Sequence, residues 1–258
     1  MDASTIELSL SIFPWAEFRK KKGAIKLHVG LDHDGFIPAF MSITEGKCHD
    51  IQAARNIDLP RGSILAVDRG YNDYEWFNSL NEKGIFFVTR LKKNAKYAVV
   101  ERRSCIKTGG LTSDQEIRLT SKKGSFYKGR LRRIGFICPE TGKHYFFLTN
   151  NMKLSARTIA AIYKERWQIE LFFKWIKQNL KIKSFVGTSK NAVLTQIWIA
   201  MCAYLLMAYL KFSSRITMAV SEMVRLLQLN LFDRRILHEL LSPPGRPDPD
   251  DDRQLVML

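Results

Sequence analysis

Over the first 93 residues, apolar positions recur at period two in some stretches and near period 3.6 in others, which separates strands from helices. Residues 2–10 read as a strand and are followed by a basic loop, Arg19-Lys20-Lys21-Lys22-Gly23. The strand-like runs 25–31 and 36–42 flank Asp32-His33-Asp34-Gly35, a turn sequence that predicts a hairpin. Residues 50–56 predict a short helix, 63–67 a buried strand ending at Asp68, 73–83 a helix closed by Gly84, and 85–91 another strand. Strands first, then strand–helix alternation, point to an α/β layer fold.

The pattern then changes. Short candidate strands at 97–104, 115–119, 131–137 and 145–148 are separated by glycine-containing turns. After Asn150 the chain becomes helical: 155–180 as one long helix capped at Ser155, then 192–210, 217–227 and 231–241. The last stretch, SPPGRPDPDDDRQ, has the proline and aspartate content of a disordered tail. The apolar run 197–210 is shorter than the roughly 20 residues that span a bilayer, and predicts a buried core helix.

Charge adds direction to this outline. Lys and Arg number 41 against 25 Asp and Glu, a net +16, and 46% of residues are hydrophobic. A globular chain with that field suits a polyanionic partner, though basic proteins at membrane surfaces share the property. The excess is concentrated: residues 90–150 hold 15 Lys and Arg against four acids. A surface so one-sided predicts a DNA-facing segment, with Arg132 and Arg133 as candidate contacts. The four cysteines are scattered without a CxxC pair, so reduced thiols are expected, and Cys48-His49-Asp50 lacks the second ligand pair of a zinc site. Asp2 and Glu7 interrupt the start, which therefore does not read as a signal peptide, and a soluble cytoplasmic protein is expected.

Within the long helix, advancing about 100° per residue puts Tyr163, Arg166, Glu170 and Lys177 in one narrow stripe beside the apolar face. On periodicity alone, that stripe is a polar edge holding an Arg166–Glu170 pair worth a few tenths of a kcal/mol. Trp167 and Trp175 fall off the stripe and are expected in the core. The chemistry has a second reading. Asp68 ends an apolar strand, and carboxylates are the hard oxygen ligands that hold Mg²⁺ or Mn²⁺ for phosphodiester chemistry. Asp2, Asp68 and Glu170 lie far apart in sequence, so only folding can bring them together.

The spacing Tyr163-x2-Arg166-x3-Glu170-x6-Lys177 resembles the signature of the DDE transposases of bacterial insertion sequences, in the insertion sequence four family. Asp2-Ala-Ser-Thr-Ile and Ala66-Val67-Asp68-Arg69-Gly70-Tyr71 resemble the segments around that family's first and second catalytic aspartates. The resemblance implies a ribonuclease-H-like core over 1–93 and 151–241, interrupted by a mostly β insertion over 94–150, with C-terminal helices and a tail over 242–258. It implies Asp2, Asp68 and Glu170 as catalytic residues and ligands of a two-metal Mg²⁺ or Mn²⁺ site. DNA is the implied partner, held by Tyr163, Arg166, Lys174 and Lys177, with the chain acting as a homodimer in the DNA complex. An aromatic of the insertion, Tyr145, Phe146 or Phe147, is the implied receiver of a flipped base. Met1 alone precedes Asp2. The expectation is therefore a truncated transposase whose first aspartate is loosely held, with a non-catalytic DNA-binding remnant or a related nuclease as the other readings.

Overall fold

The computed structural model describes residues 1–19, 22–179, 182, 184–230, 232, 240 and 241. Four strands form a first, antiparallel sheet: β1 (Asp2–Leu8), β2 (Glu17–Arg19), β3 (Lys22–Leu31) and β4 (Pro38–Glu45). β3 is central, with β1 on one side and β4 on the other. The predicted hairpin is present: Asp32 N–H donates to the Ile37 carbonyl, and Gly35 takes the positive φ of 77° that closes the turn. After α1 (Asp50–Arg55), a second sheet begins with β5 (Ile64–Ala66), continues through α2 (Tyr74–Glu82), and reaches β6 (Phe86–Arg90), parallel to β5. Asp73 caps α2 by accepting the Trp76 N–H, and Gly84 at φ 71° ends that helical stretch, as its position in the sequence predicts.

The basic segment contributes β7 (Tyr97–Arg102), β8 (Leu111–Leu119), β9 (Leu131–Ile137) and β10 (His144–Thr149). These four strands extend the second sheet, in the order β5-β6-β10-β9-β8-β7, with every pairing beyond β5–β6 antiparallel. The helices that follow are α3 (Ala156–Glu165), α4 (Gln168–Asn179), α5 (Lys190–Ser213) and α6 (Val220–Leu229). The predicted helix over 231–241 and the tail over 242–258 lie largely outside the described residues.

The predicted single helix over 155–180 is two helices. Ser155 caps the first as expected, accepting the Thr158 N–H. Its apolar face, with Ile159, Ala160 and Tyr163, packs on the second sheet against Val88, Ile134 and Phe147. The apolar face of α4, with Ile169, Phe172, Phe173 and Ile176, packs instead on the first sheet against Ile6, Leu27 and Val29. One straight rod cannot bury both faces on two differently placed sheets, so the chain turns at Arg166 and Trp167. Trp167, expected in the core, sits outside that elbow and is 55% exposed. Trp175 does pack inward, edge-on to Tyr204.

Arg132 is the other correction. It was expected on a DNA-facing surface, yet it is 2% exposed. Its guanidinium forms a bidentate pair with buried Asp114, at 2.8 and 2.6 Å, and its remaining nitrogen donates to the carbonyls of Asn151 and Leu154. A cation in the interior requires such compensation. Here the compensation ties β9 to the loop that leads into α3. Arg132→Ala leaves Asp114 buried without its partner and is expected to cost about 3–5 kcal/mol in urea unfolding. Arg130→Ala removes an exposed arginine from Glu116, which keeps its pair with Arg103, and is expected to move stability by less than about 1 kcal/mol. Equal effects would contradict this placement.

His28 on β3 is fully buried, with Nε2 against the Thr44 hydroxyl at 2.8 Å. Burial, aided by Lys26 and opposed by Asp50, lowers its pKa below the ordinary histidine value. The unfolded chain therefore takes up a proton near pH 6.5 that the folded chain refuses, and stability falls as the pH drops below that point. His28→Leu is expected to flatten the slope of stability against pH between about 6.5 and 5, measured by urea midpoints. An unchanged slope would rule out the assignment.

Candidate active site

Three acids stand on three elements, each positioned by backbone before any side-chain contact acts. Asp2 opens β1 and pairs with Val29 of β3. Met1 is buried, and its amino group donates to the Ala66 carbonyl at 2.8 Å, holding the start of β1 against the end of β5. The expectation that Asp2 would be loosely held is thereby overturned: it is tied to the first sheet by pairing and to the second through its neighbour. Asp68 follows β5 by two residues and caps the short 3-10 turn Arg69–Tyr71, accepting the Gly70 N–H. Glu170 lies in the first turn of α4, where the helix N-terminus favours a negative side chain.

Two arginines and a tyrosine connect these acids. Arg166, at the elbow and 10% exposed, donates to Asp2 at 3.1 Å and to Glu170 at 2.6 Å. Arg90, at the end of β6, donates to Asp68 at 2.7 Å, and the Tyr163 hydroxyl reaches the same oxygen at 3.3 Å. The Tyr163 ring has the two guanidinium carbons, Arg90 and Arg166, each 5.8 Å from its centroid. One connected polar cluster thus joins β1, β5, β6, α3 and α4.

The electrostatics separate the two aspartates. Burial pushes the Asp2 carboxyl above the ordinary aspartate range, and the Ala3 N–H and Arg166 offset this only in part. Burial acts in the same direction on Asp68, but hydrogen bonds from Arg90 and the Arg69 backbone prevail and hold it below that range. Burial also raises the Tyr163 phenol, which keeps its proton for the bond to Asp68. Arg166 remains a firm cation: burial works against its charge, and Glu170, Tyr163 and Asp2 more than compensate.

The donor set suits a hard divalent cation, since carboxylate oxygens are what Mg²⁺ and Mn²⁺ take. The spacing is another matter. Among the described residues no three His, Cys, Asp or Glu side chains stand close enough to hold one ion. Arg166 stands between Asp2 and Glu170, and Arg90 covers Asp68.

Of the other residues singled out in the sequence, Lys177 faces β1, donating to the Thr5 carbonyl at 3.1 Å, and Lys174 is exposed on α4. Arg133 is half-buried over the Phe146 ring at 3.7 Å, bonded to Gln115. Phe147 is core, while Tyr145 stacks on it and borders the site. Arg90 is the residue that sequence reasoning missed. A basic residue ending an apolar strand carries no local signal, and its role appears only when β6 comes to lie beside β5.

Two cavities flank the cluster and share Arg90 and Tyr145. One, of about 590 Å³, is lined by Tyr163, Arg166, Trp167 and Glu170 together with Phe147 and Arg157. The other, of about 660 Å³, is lined by Arg69, Lys92, Lys93, Arg133 and Lys143 with Tyr97 and Phe146, and has no acid in its wall.

Comparison with known proteins agrees with the geometry. The family model described as Transposase DDE domain matches residues 1–206. A protein of Sinorhizobium fredii named "Putative transposase y4zB" is 38% identical over 248 residues, 95% of this chain and 69% of its own length. The "Probable transposase for insertion sequence element IS5377" of Geobacillus stearothermophilus is 28% identical over 81% of this chain. The "Putative transposase for insertion sequence element IS4SA" of a Synechocystis species is 27% identical over 79%. The chain spans 55% and 58% of the lengths of those last two relatives. A family match over most of the chain, together with a relative 38% identical over nearly all of it, leads to one conclusion: the chain belongs to the DDE transposase family of insertion sequences.

Proposed function

We propose that this chain is the catalytic domain of a transposase that cuts DNA at the ends of an insertion sequence and joins those ends to target DNA. The observation that carries the reading is the gathering of Asp2, Asp68 and Glu170, from three remote segments, around Arg166, Tyr163 and Arg90. The strand arrangement supports a ribonuclease-H-like core. β4, β3 and β1 lie side by side, Met1 joins β1 to β5, and β5 runs parallel to β6. In this reading 1–93 and 151–241 form that core, and 94–150 is an insertion whose strands extend the β5–β6 sheet.

Asp2, Asp68 and Glu170 would hold two Mg²⁺ or Mn²⁺ ions only once Arg166 and Arg90 release their carboxylates, and the ions would then supply activation of a water or 3′-hydroxyl and charge stabilisation at the leaving oxygen. The remaining work falls to this chain's own side chains. Arg166 and Arg90 are the cationic donors nearest the acids and bind backbone phosphates by charge-assisted hydrogen bonds. Tyr163 keeps Asp68 oriented, and Trp167 closes the side of the cavity next to Glu170. The acid-free cleft with Arg69, Lys92, Lys93, Arg133 and Lys143 takes the polyanionic strand away from the reacting phosphate, while Lys174 and Lys177 serve it along α4. Two copies acting on DNA in the bacterial cytoplasm, one for each element end, complete the reading.

The loosely held Asp2 that favoured an inactive remnant finds no support in a residue paired within a sheet. Strand transfer with a pre-cleaved end and Mn²⁺ tests the activity. Glu170→Ala and Asp68→Asn are each expected to lower joining by about 10²–10³-fold or more. Robust joining by Glu170→Ala would refute the site. Cleavage without joining would favour the nuclease, and DNA binding without either the remnant.

A second measurement needs no turnover. Because Arg166 neutralises both Asp2 and Glu170, Arg166→Gln is expected to tighten Mn²⁺ binding in calorimetry while lowering joining by about 10²-fold. Unchanged Mn²⁺ affinity would show that the acids near Arg166 are not the ligands.

A further inference from the structure

The two sheets meet along a seam that is filled at one end only. β1 is an outer strand of the first sheet and β5 an outer strand of the second. At the filled end the chain bridges them: Asp2 pairs with Val29 of β3, and the Met1 amino group donates to the Ala66 carbonyl of β5. At the other end β3 runs on through Gly30 and Leu31, paired there with β4 alone among the described residues. β5 begins two residues before Ala66, at Ile64, with β6 on its far side. Between these two backbone edges lies a cavity of about 360 Å³. Gly30 and Leu31 form one wall, Ile64 and Leu65 the other, and Met1 closes the inner end.

The width of the cavity follows from the pairing. A single strand separates β3 from β5 at Asp2, so the walls stand about two strand spacings apart, roughly twice 4.8 Å. One extended backbone fits that gap, and an unpaired strand edge on each side is a template for it. Ile57 lines the cavity from the core under the second sheet and Ile169 from the core under the first, so a strand lying there is covered on both faces and has to be apolar. The rim is acidic. Asp32, Asp58 and Glu165 border it, His33 is paired with Glu165, and Arg166 is committed to Asp2 and Glu170. On a chain of net +16 this is a place that attracts a cation and disfavours a polyanion.

We propose that this cavity is a strand-binding slot for a partner protein, which inserts a short extended segment antiparallel to β3 and parallel to β5. The segment is apolar where it lies between the sheets and carries lysine or arginine where it crosses the acidic rim. It follows the line of β1 and makes the two sheets one. The inference rests on backbone edges and rim charge, is independent of the catalytic reading and requires no DNA.

The test uses the 258-residue chain and a pentapeptide, Lys-Lys-Ile-Val-Val, labelled with fluorescein at its N-terminus and amidated. Fluorescence anisotropy is expected to give a dissociation constant on the order of 10–100 μM. Hydrogen exchange is expected to slow at Gly30 and Leu31 and at Ile64 and Leu65 together. Lys-Lys-Ile-Pro-Val has the same charge but lacks one ladder donor, and Val-Val-Ile-Lys-Lys sends its lysines to the apolar end; both are expected to bind at least about tenfold more weakly. Asp58→Lys, at an exposed rim position, is expected to weaken Lys-Lys-Ile-Val-Val about tenfold with the melting temperature unchanged. No binding at about 1 mM peptide, equal binding of the control peptides, or exchange slowed at another strand edge would each overturn the proposal. So would indifference to Asp58→Lys, or displacement of the peptide by an oligonucleotide.

Discussion

The side chain on which the site depends is the guanidinium of Arg166. It is 10% exposed and bonded at once to the first strand through Asp2 and to α4 through Glu170. Its backbone ends α3. A planar fork of donors suits this task, because two nitrogens can face two carboxylates while the stem stays packed. A lysine would offer a single point charge. The cluster is therefore organised by a cation, with acids from remote parts of the chain gathered around it, Tyr163 layered against it, and Arg90 repeating the arrangement at Asp68.

That arrangement requires the elbow. The two halves of the expected helix have apolar faces that belong to different sheets, and the turn at Arg166 and Trp167 lets both be buried. The turn also projects Trp167 outward and brings Glu170 to a helix N-terminus. Below the elbow, buried Arg132 fixes the start of α3 by holding Asp114 and the carbonyls of Asn151 and Leu154. Two arginines thus have opposite uses. Arg132 is fully compensated and structural, whereas Arg166 lines an open cavity and gathers the acids of the candidate site.

Charge along the sequence was a fair guide to the surface as a whole and a poor guide to single residues. Residues 90–150 do line an acid-free basic cleft through Lys92, Lys93, Arg133 and Lys143. Yet neighbouring Arg132 and Arg133 differ completely, because successive residues of β9 point to opposite faces of the sheet. Arg133 lies over Phe146 at the cleft and Arg132 is sealed inside. Position in the pleat decided this, and nothing in the composition of the segment carried it.

Local pattern determined the elements that depend on local rules. The β3–β4 hairpin, the Asp73 and Ser155 caps, the stop at Gly84 and the span of β9 were all legible, because turn chemistry and capping act over a few residues. The motifs around Asp2, Asp68 and Glu170 were legible as well, through their likeness to a known family. Tertiary structure alone decided the rest. It broke the long helix, because its two apolar faces find different sheets. It recruited Arg90, because strand pairing placed it beside Asp68, and it fixed Asp2, because Met1 bonds across to Ala66. It also left Trp198, Ile199, Tyr209 and Phe212 of α5 exposed where a buried core helix was expected, since a helix apolar on every side reads as buried from its sequence.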